Sequence, residues 1–102
     1  MKDGHIEIDS ENGKIFGFTS DLFEGYLWKK ENDIYISFII SIHEGKGNLR
    51  KLFDNILRQG FNVKVPTPFP RMQNILLWLG FNQTFEQEEI GTVEVWYKKA
   101  IK

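Results

Sequence analysis

The sequence predicts a mixed α+β domain: one sheet with parallel and antiparallel strand pairs, and helices on its faces. Three observations point there. Apolar and polar residues alternate in several short runs, as they do in half-buried strands. Two longer runs repeat at helical spacing instead, and each stops at a glycine, Gly60 or Gly80. Over residues 34–65 a strand, a glycine-bearing turn, a helix and another strand follow one another without a break. That is the pattern of a right-handed crossover between parallel strands. The expected order is β-β-β-β-α-β-α-β-β, in the α+β or α/β range. At 102 residues the chain makes a single domain spanning residues 1–102.

Each element has its own signal. Residues 5–9 alternate around Ile6 and Ile8, and Glu11-Asn12-Gly13 then reads as a hairpin turn. Residues 14–19 form the second strand, with Ile15, Phe16 and Phe18. Residues 20–25 are a loop with room for one helical turn, and residues 26–30 are the third strand. In the fourth strand Ile34, Ile36, Phe38, Ile40 and Ile42 share one face, which is expected to be core. Tyr35, Ser37, Ile39, Ser41 and His43 share the other, a mixed face suited to the border of a cleft. Leu49, Leu52, Phe53, Ile56 and Leu57 then follow helical spacing, with Asn48 as the expected N-cap and Gly60 as the C′ residue. Residues 61–65 alternate as a fifth strand. Pro66, Pro68 and Pro70 bar regular structure until a second helix begins near Pro70. Met72, Ile75, Leu76 and Leu79 are its buried stripe. Residues 81–87 and 92–99 close the chain as a hairpin.

Composition narrows the classes. Apolar residues are 41% and aromatics 15%, enough for a packed core and against disorder. Thirteen basic and 14 acidic residues are well mixed, at a net charge of −1, so no basic nucleic-acid footprint is expected. Lys29-Lys30 and Lys98-Lys99 read as solvated strand ends. The absence of cysteine rules out disulfides and thiolate metal sites, and fits a reducing cytosol. His5 and His43 are far apart in sequence, and no metal site is expected. The N-terminus lacks the apolar stretch of a signal peptide, and the most apolar run, residues 34–42, is far shorter than a membrane helix. A cytoplasmic protein without membrane partners is the expectation.

The turn at Gly45-Lys46-Gly47 carries the chemistry. A strand that enters a helix through glycines aims several backbone N–H groups at one place, at the positive end of a helix dipole, and such a place suits a phosphate. The spacing is not that of a Walker loop, nor of a dinucleotide fingerprint.

From about residue 14 to 99 the chain resembles the GNAT superfamily of N-acetyltransferases. Residues 44–49, Glu-Gly-Lys-Gly-Asn-Leu, are similar to its pyrophosphate loop, Arg/Gln-x-x-Gly-x-Gly/Ala. The helix ending at Gly60 and the strand over residues 61–65 are similar to its central helix and fifth strand. Residues 71–81 and 93–98 resemble its last helix and final strand pair. The resemblance implies a GNAT-like acyl-CoA fold lacking the usual N-terminal helices. In that family the fourth and fifth strands splay apart, and the pantetheine arm of acetyl-CoA lies between them. By position, Gly45, Lys46, Gly47, Asn48 and Leu49 would offer amides to the pyrophosphate. Ile40, Ser41 and Ile42 would border the pantetheine, and Asn74 could reach the CoA arm.

The pattern departs in places. Glu44 stands where the loop has Arg or Gln, Leu49 where it has Gly or Ala, and Pro70 where asparagine is frequent. Leu76 holds the position of the tyrosine that protonates the departing thiolate. There is no room for the family's first strand and its two amine-substrate helices.

Amine acetylation needs a held amine, a route for its proton and a donor for the oxyanion. His43 and Glu44 are candidate bases at the strand's exit, or else a strand-face polar residue and a solvated turn residue. Tyr97 is a candidate acid, or a packing residue of the last strand. Trp28, Trp78 and Trp96 read as core or interface anchors, with Trp78 off its helix's apolar stripe. Two functions are therefore expected as alternatives. One is acetyl transfer from acetyl-CoA, or another acyl-CoA, to an amine. The other is an inactive GNAT-fold module that dimerises, through its N-terminal edge strand or the Trp78 surface, or binds a protein partner.

Overall fold

A computed structural model describes residues 1–101. The chain forms β1 (Gly4–Glu7), α1 (Glu11–Phe16), β2 (Phe23–Lys30), β3 (Asp33–Ser41), α2 (Asn48–Arg58), β4 (Asn62–Pro66), α3 (Pro70–Trp78), β5 (Asn82–Glu88) and β6 (Gly91–Lys98). One six-stranded sheet runs in the order β1-β2-β3-β4-β6-β5. The β3–β4 pair, joined through α2, is parallel, and the other pairs are antiparallel. The mixed α+β class is as the sequence predicts.

The expected element order is not. The hairpin at Glu11-Asn12-Gly13 and the strand over residues 14–19 are replaced by α1, so the order is β-α-β-β-α-β-α-β-β. Ser10 caps this six-residue helix, its Oγ accepting from the Gly13 amide at 3.0 Å, and Gly17 ends it at φ 79°. Gly13 serves close packing rather than a hairpin turn. A Cβ there would sit 2.6 Å from the Glu7 carbonyl oxygen. Helical spacing turns Phe16 into the core and leaves Ile15 out, where a strand would have had to pair them differently. A turn at residues 19–23, with Phe23 N donating to Thr19 O, leads into β2, which starts three residues before the expected Tyr26.

All three helices contribute to one core cluster with the inward sheet residues. Phe16, Leu52, Phe53, Ile56, Leu57 and Leu76 meet Ile6, Leu27, Ile34, Ile36, Val63 and Val65 there. Of the expected α2 stripe, Leu52, Phe53, Ile56 and Leu57 are buried and Leu49 packs half-buried against the core; burying such a side chain contributes about 1.5–3 kcal/mol. The sheet's other face is left open between β1 and β3, where Tyr26, Trp28, Phe38 and Ile40 are 40–49% exposed. His5 packs edge-on against Trp28 at 4.4 Å and Tyr26 stacks on Phe38 at 6.4 Å.

Two further expectations are corrected. The fourth strand does not keep a single core face. Ile34 and Ile36 are buried, but Phe38, Ile40 and Ile42 are 45–49% exposed, and Ile39 packs against the core instead. A bulge causes the switch: Tyr26 pairs with Phe38 and Trp28 with Tyr35, so β3 carries one residue more than β2 and its alternation inverts. Nor is Lys29 a solvated strand end. It is 6% exposed, with its Nζ on Asp3 Oδ1 at 2.8 Å and over the Phe61 ring.

Candidate functional site

β3 and β4 are paired only at Asp33–Asn62, Ile34–Val63 and Tyr35–Lys64. Beyond Tyr35, β3 continues to Ser41 against β2, while β4 ends at Pro66 against β6. Two local causes separate them. The bulge at Ile36–Ser37 bends β3. Pro66, Pro68 and Pro70 take the other strand out of the sheet, since proline has no amide for a ladder. From Ile36 to Ser41, the β4-side edge of β3 has no strand partner among the described residues. Such an edge presents alternating N–H and C=O groups.

A cleft of about 620 Å³ opens beside that edge, within the usual range for small-molecule sites. Ile39, Ile40 and Ser41 form one wall. Glu44, Gly45, Gly47, Asn48, Leu49 and Arg50 form its head. Phe69, Arg71, Met72, Ile75, Trp78 and Leu79, along one side of α3, form the other wall. The walls are largely apolar and the head is polar.

The head carries positive potential. Gly47, at φ 74°, is the N-cap of α2, and Asn48, the expected cap, is its first helical residue. Glycine's freedom at positive φ lets the chain swing from the strand into the helix here. The cap makes no side-chain hydrogen bond, and the amides from Gly45 to Arg50 have no acceptor among the described residues. They point out at the positive end of α2. Arg50 and Arg71 flank them, both exposed. Glu44 is paired with Arg71 at 3.0 Å, so its charge is offset at the cleft mouth.

Of the residues expected at a site, Ile40, Ser41, Glu44, Gly45, Gly47, Asn48 and Leu49 line this cleft together. Lys46 and Ile42 are exposed in the same turn but outside its lining, and the Ile42 amide donates to Leu22 O. His43 is exposed beside it, also outside the lining. Asn74 is exposed on α3 and outside the lining as well. Leu76 is fully buried in the core and faces no cleft.

Tyr97 belongs elsewhere. It lines a separate depression of about 320 Å³ with Asp33, Lys64 and Glu86. There Lys64 bridges Asp33, at 3.2 Å, and Glu86. Burial alone would lower the Lys64 pKa, but hydrogen bonds to Glu86 and Asp33 hold it well above the ordinary lysine value. Burial raises the pKa of Tyr35, whose hydroxyl donates to Glu86 at 3.2 Å. Both groups therefore keep their protons throughout the neutral range.

Sequence reasoning missed Arg50, Arg71, Phe69 and Trp78 as cleft residues. Arg71, Ile75 and Trp78 stand at i, i+4 and i+7, so one helix side carries them all. That spacing was legible. What it faced was not, because Met72, Ile75 and Leu79 looked like core, and only Leu76 is fully buried.

No group of three or more metal-ligating side chains comes together among the described residues, and no helix there is long and apolar enough to cross a membrane. No family model, curated protein or solved structure matches this chain.

Proposed function

We propose that the cleft between β3 and α3 binds an acyl-CoA, and that the protein transfers the acyl group, acetyl in the simplest case, to an amine, as GNAT-like N-acetyltransferases do. One observation carries the reading. An unpaired strand edge, Ile36 to Ser41, leads directly to a cluster of amides without acceptors at Gly45–Arg50. A pantetheine arm has amides spaced to bond such an edge, and a diphosphate suits such a cluster. Arg71 and Arg50 supply the cationic flank that the loop's own Glu44 lacks.

In this reading the amine nitrogen attacks the thioester carbonyl, its proton leaves to a base or water, and the C–S bond breaks as the thiolate is protonated. Backbone amides on the open β3 edge are the donors for the oxyanion. His43, exposed beside the cleft mouth, is the free candidate base, since Glu44 is engaged with Arg71. Tyr97 lies in a different depression from the cleft, which leaves water as the source of the thiolate's proton.

Calorimetric titration with acetyl-CoA tests the reading, with Gly47→Asp as the control that puts a carboxylate among the amides. Micromolar to sub-millimolar binding that the control abolishes is expected. No binding at millimolar ligand would end the proposal. A thiol-release assay over a panel of amines then tests the transfer step.

The open sheet face favours a second reading, a binding module without transfer chemistry that associates through Tyr26, Trp28 and Phe38. Light scattering that reports a monomer for both the wild type and Phe38→Ser would remove it.

A further inference from the structure

The three helices pack on one side of the sheet, and the other side is open from β1 to β3. Strand pairing fixes how its residues are laid out. Along β2, Glu24, Tyr26, Trp28 and Lys30 point to the open side, alternating with the buried Phe23, Leu27 and Lys29. Glu7 of β1 and Phe38 of β3 stand beside Tyr26, and His5 of β1 stands beside Trp28. One end of the face therefore carries carboxylates and the other end carries Lys30, with aromatic rings between them. Glu7, Glu24 and Lys30 have no ion-pair partner among the described residues.

Such a face is complementary to itself. Consider a two-fold axis in the plane of contact, perpendicular to β2 at Leu27. It reverses the strand direction of a second copy and keeps each strand over its own counterpart. Glu24 then lies over Lys30 of the partner subunit, Tyr26 over Trp28 of the partner subunit, and Glu7 over His5 of the partner subunit, each twice. An axis along β2 would instead stack Glu24 and Lys30 on their own copies, and like charges oppose that arrangement. Sheets packed face to face align within about 30° at a spacing of about 10 Å, which holds the rings of both copies. The three rings, 40–49% exposed, leave roughly 300 Å² open. Ile40 and the charged residues around them bring the face toward the roughly 800 Å² that each partner gives to a standard interface. We infer that this face is the interface of a two-fold symmetric dimer, and that its partner is a second copy of this chain. The inference rests on the reading that the open face associates. It is compatible with transfer at the cleft, because α2 and α3 lie on the other side of the sheet.

The test is sedimentation equilibrium on the full chain, comparing wild type, Phe38→Ser, Glu24→Lys and Lys30→Glu. The wild type should dimerise in the micromolar range, and Phe38→Ser should weaken the dimer. Each charge reversal turns two attractive pairs per dimer into repulsive ones and should weaken it about tenfold or more. Mixing Glu24→Lys with Lys30→Glu should restore association, since every pair across the axis is again of opposite sign. Both positions are exposed, so circular dichroism and the melting temperature of the dilute chains should be unchanged. A dimer that Phe38→Ser breaks but the charge reversals leave intact would overturn the two-fold arrangement and keep the association reading. Charge variants that weaken the dimer but do not recover on mixing would do the same. A wild type that stays monomeric at submillimolar protein, or a dimer that no variant disturbs, would overturn both.

Discussion

Replacing Glu44 with glutamine should strengthen acetyl-CoA binding, although it removes an ion pair. Glu44 sits at the head of the cleft, 3.0 Å from Arg71, and both side chains are mostly exposed at 64% and 79%. With a water-like dielectric and a separation of about 6 Å, its carboxylate repels the two charges of a diphosphate diester by roughly 1.4 kcal/mol. Screening at physiological salt, with a Debye length of about 8 Å, leaves roughly half of that. The substitution should therefore raise affinity about threefold at 0.15 M salt, with a little more from releasing Arg71. At 1 M salt the Debye length is about 3 Å and the gain should shrink to less than about 1.5-fold. Stability should change by less than about 1 kcal/mol, since exposed pairs contribute little. Calorimetry at the two salt concentrations is the assay. Weaker binding by Glu44→Gln, or a gain that does not respond to salt, would refute the claim that a diphosphate rests beside this carboxylate.

Other substitutions probe the frame around the cleft. Gly25 lies opposite Ile39 beside the β3 bulge, and a Cβ there would fall 2.1 Å from the Phe38 carbonyl oxygen at a φ of 128°. Gly25→Ala should cost about 4 kcal/mol or more in denaturant unfolding, and a loss under 1 kcal/mol would contradict the bulge geometry. Leu76→Tyr should not create an acid at the cleft. Its side chain is fully buried, so overpacking should lower stability by about 1–3 kcal/mol with no rise in turnover; a stable, faster variant would show that position 76 faces the substrate. Hydrogen bonds from the Ser20 hydroxyl and amide hold the Asp9 pKa below its ordinary value. A depressed folded pKa contributes stability above the unfolded value near 3.8, and that contribution is lost as pH falls through the folded value. Asp9→Asn should therefore lower the melting temperature at pH 7, and the gap from wild type should close on acidification below pH 4. A gap that stays constant with pH would dismiss the linkage.

Some of this molecule could be read in advance because its signals are local. The α2 stripe, with Leu52, Phe53, Ile56 and Leu57 all buried, needed only helical spacing. The parallel pairing of β3 and β4 needed only a strand, a helix and a strand in succession. The cluster of amides at Gly45–Arg50 needed only glycines between a strand and a helix. The misreadings occur where a residue's role depends on a distant partner. Gly13 after Asn12 is a turn signal in isolation, yet the Glu7 and Phe18 carbonyls fix that glycine. Phe38 and Ile40 continue an alternating apolar pattern, but an extra residue relative to β2 turns them away from the core. Lys29 is paired with Asp3, which lies 26 residues away in sequence and just ahead of the β1 residue, Gly4, that pairs with Lys29.

Sequence by itself determined the class of the fold, the amphipathic helix over residues 48–58 and the turn that leaves its first amides open, because each follows from backbone preference and residue spacing within one helix or strand. Tertiary structure alone decided that β3 and β4 part after Tyr35, that Arg71 neutralises Glu44, and that Trp78 lines the cleft. Those facts depend on pairing register and on packing between residues tens of positions apart, and no local pattern encodes the relative placement of segments whose contacts form only when the sheet closes.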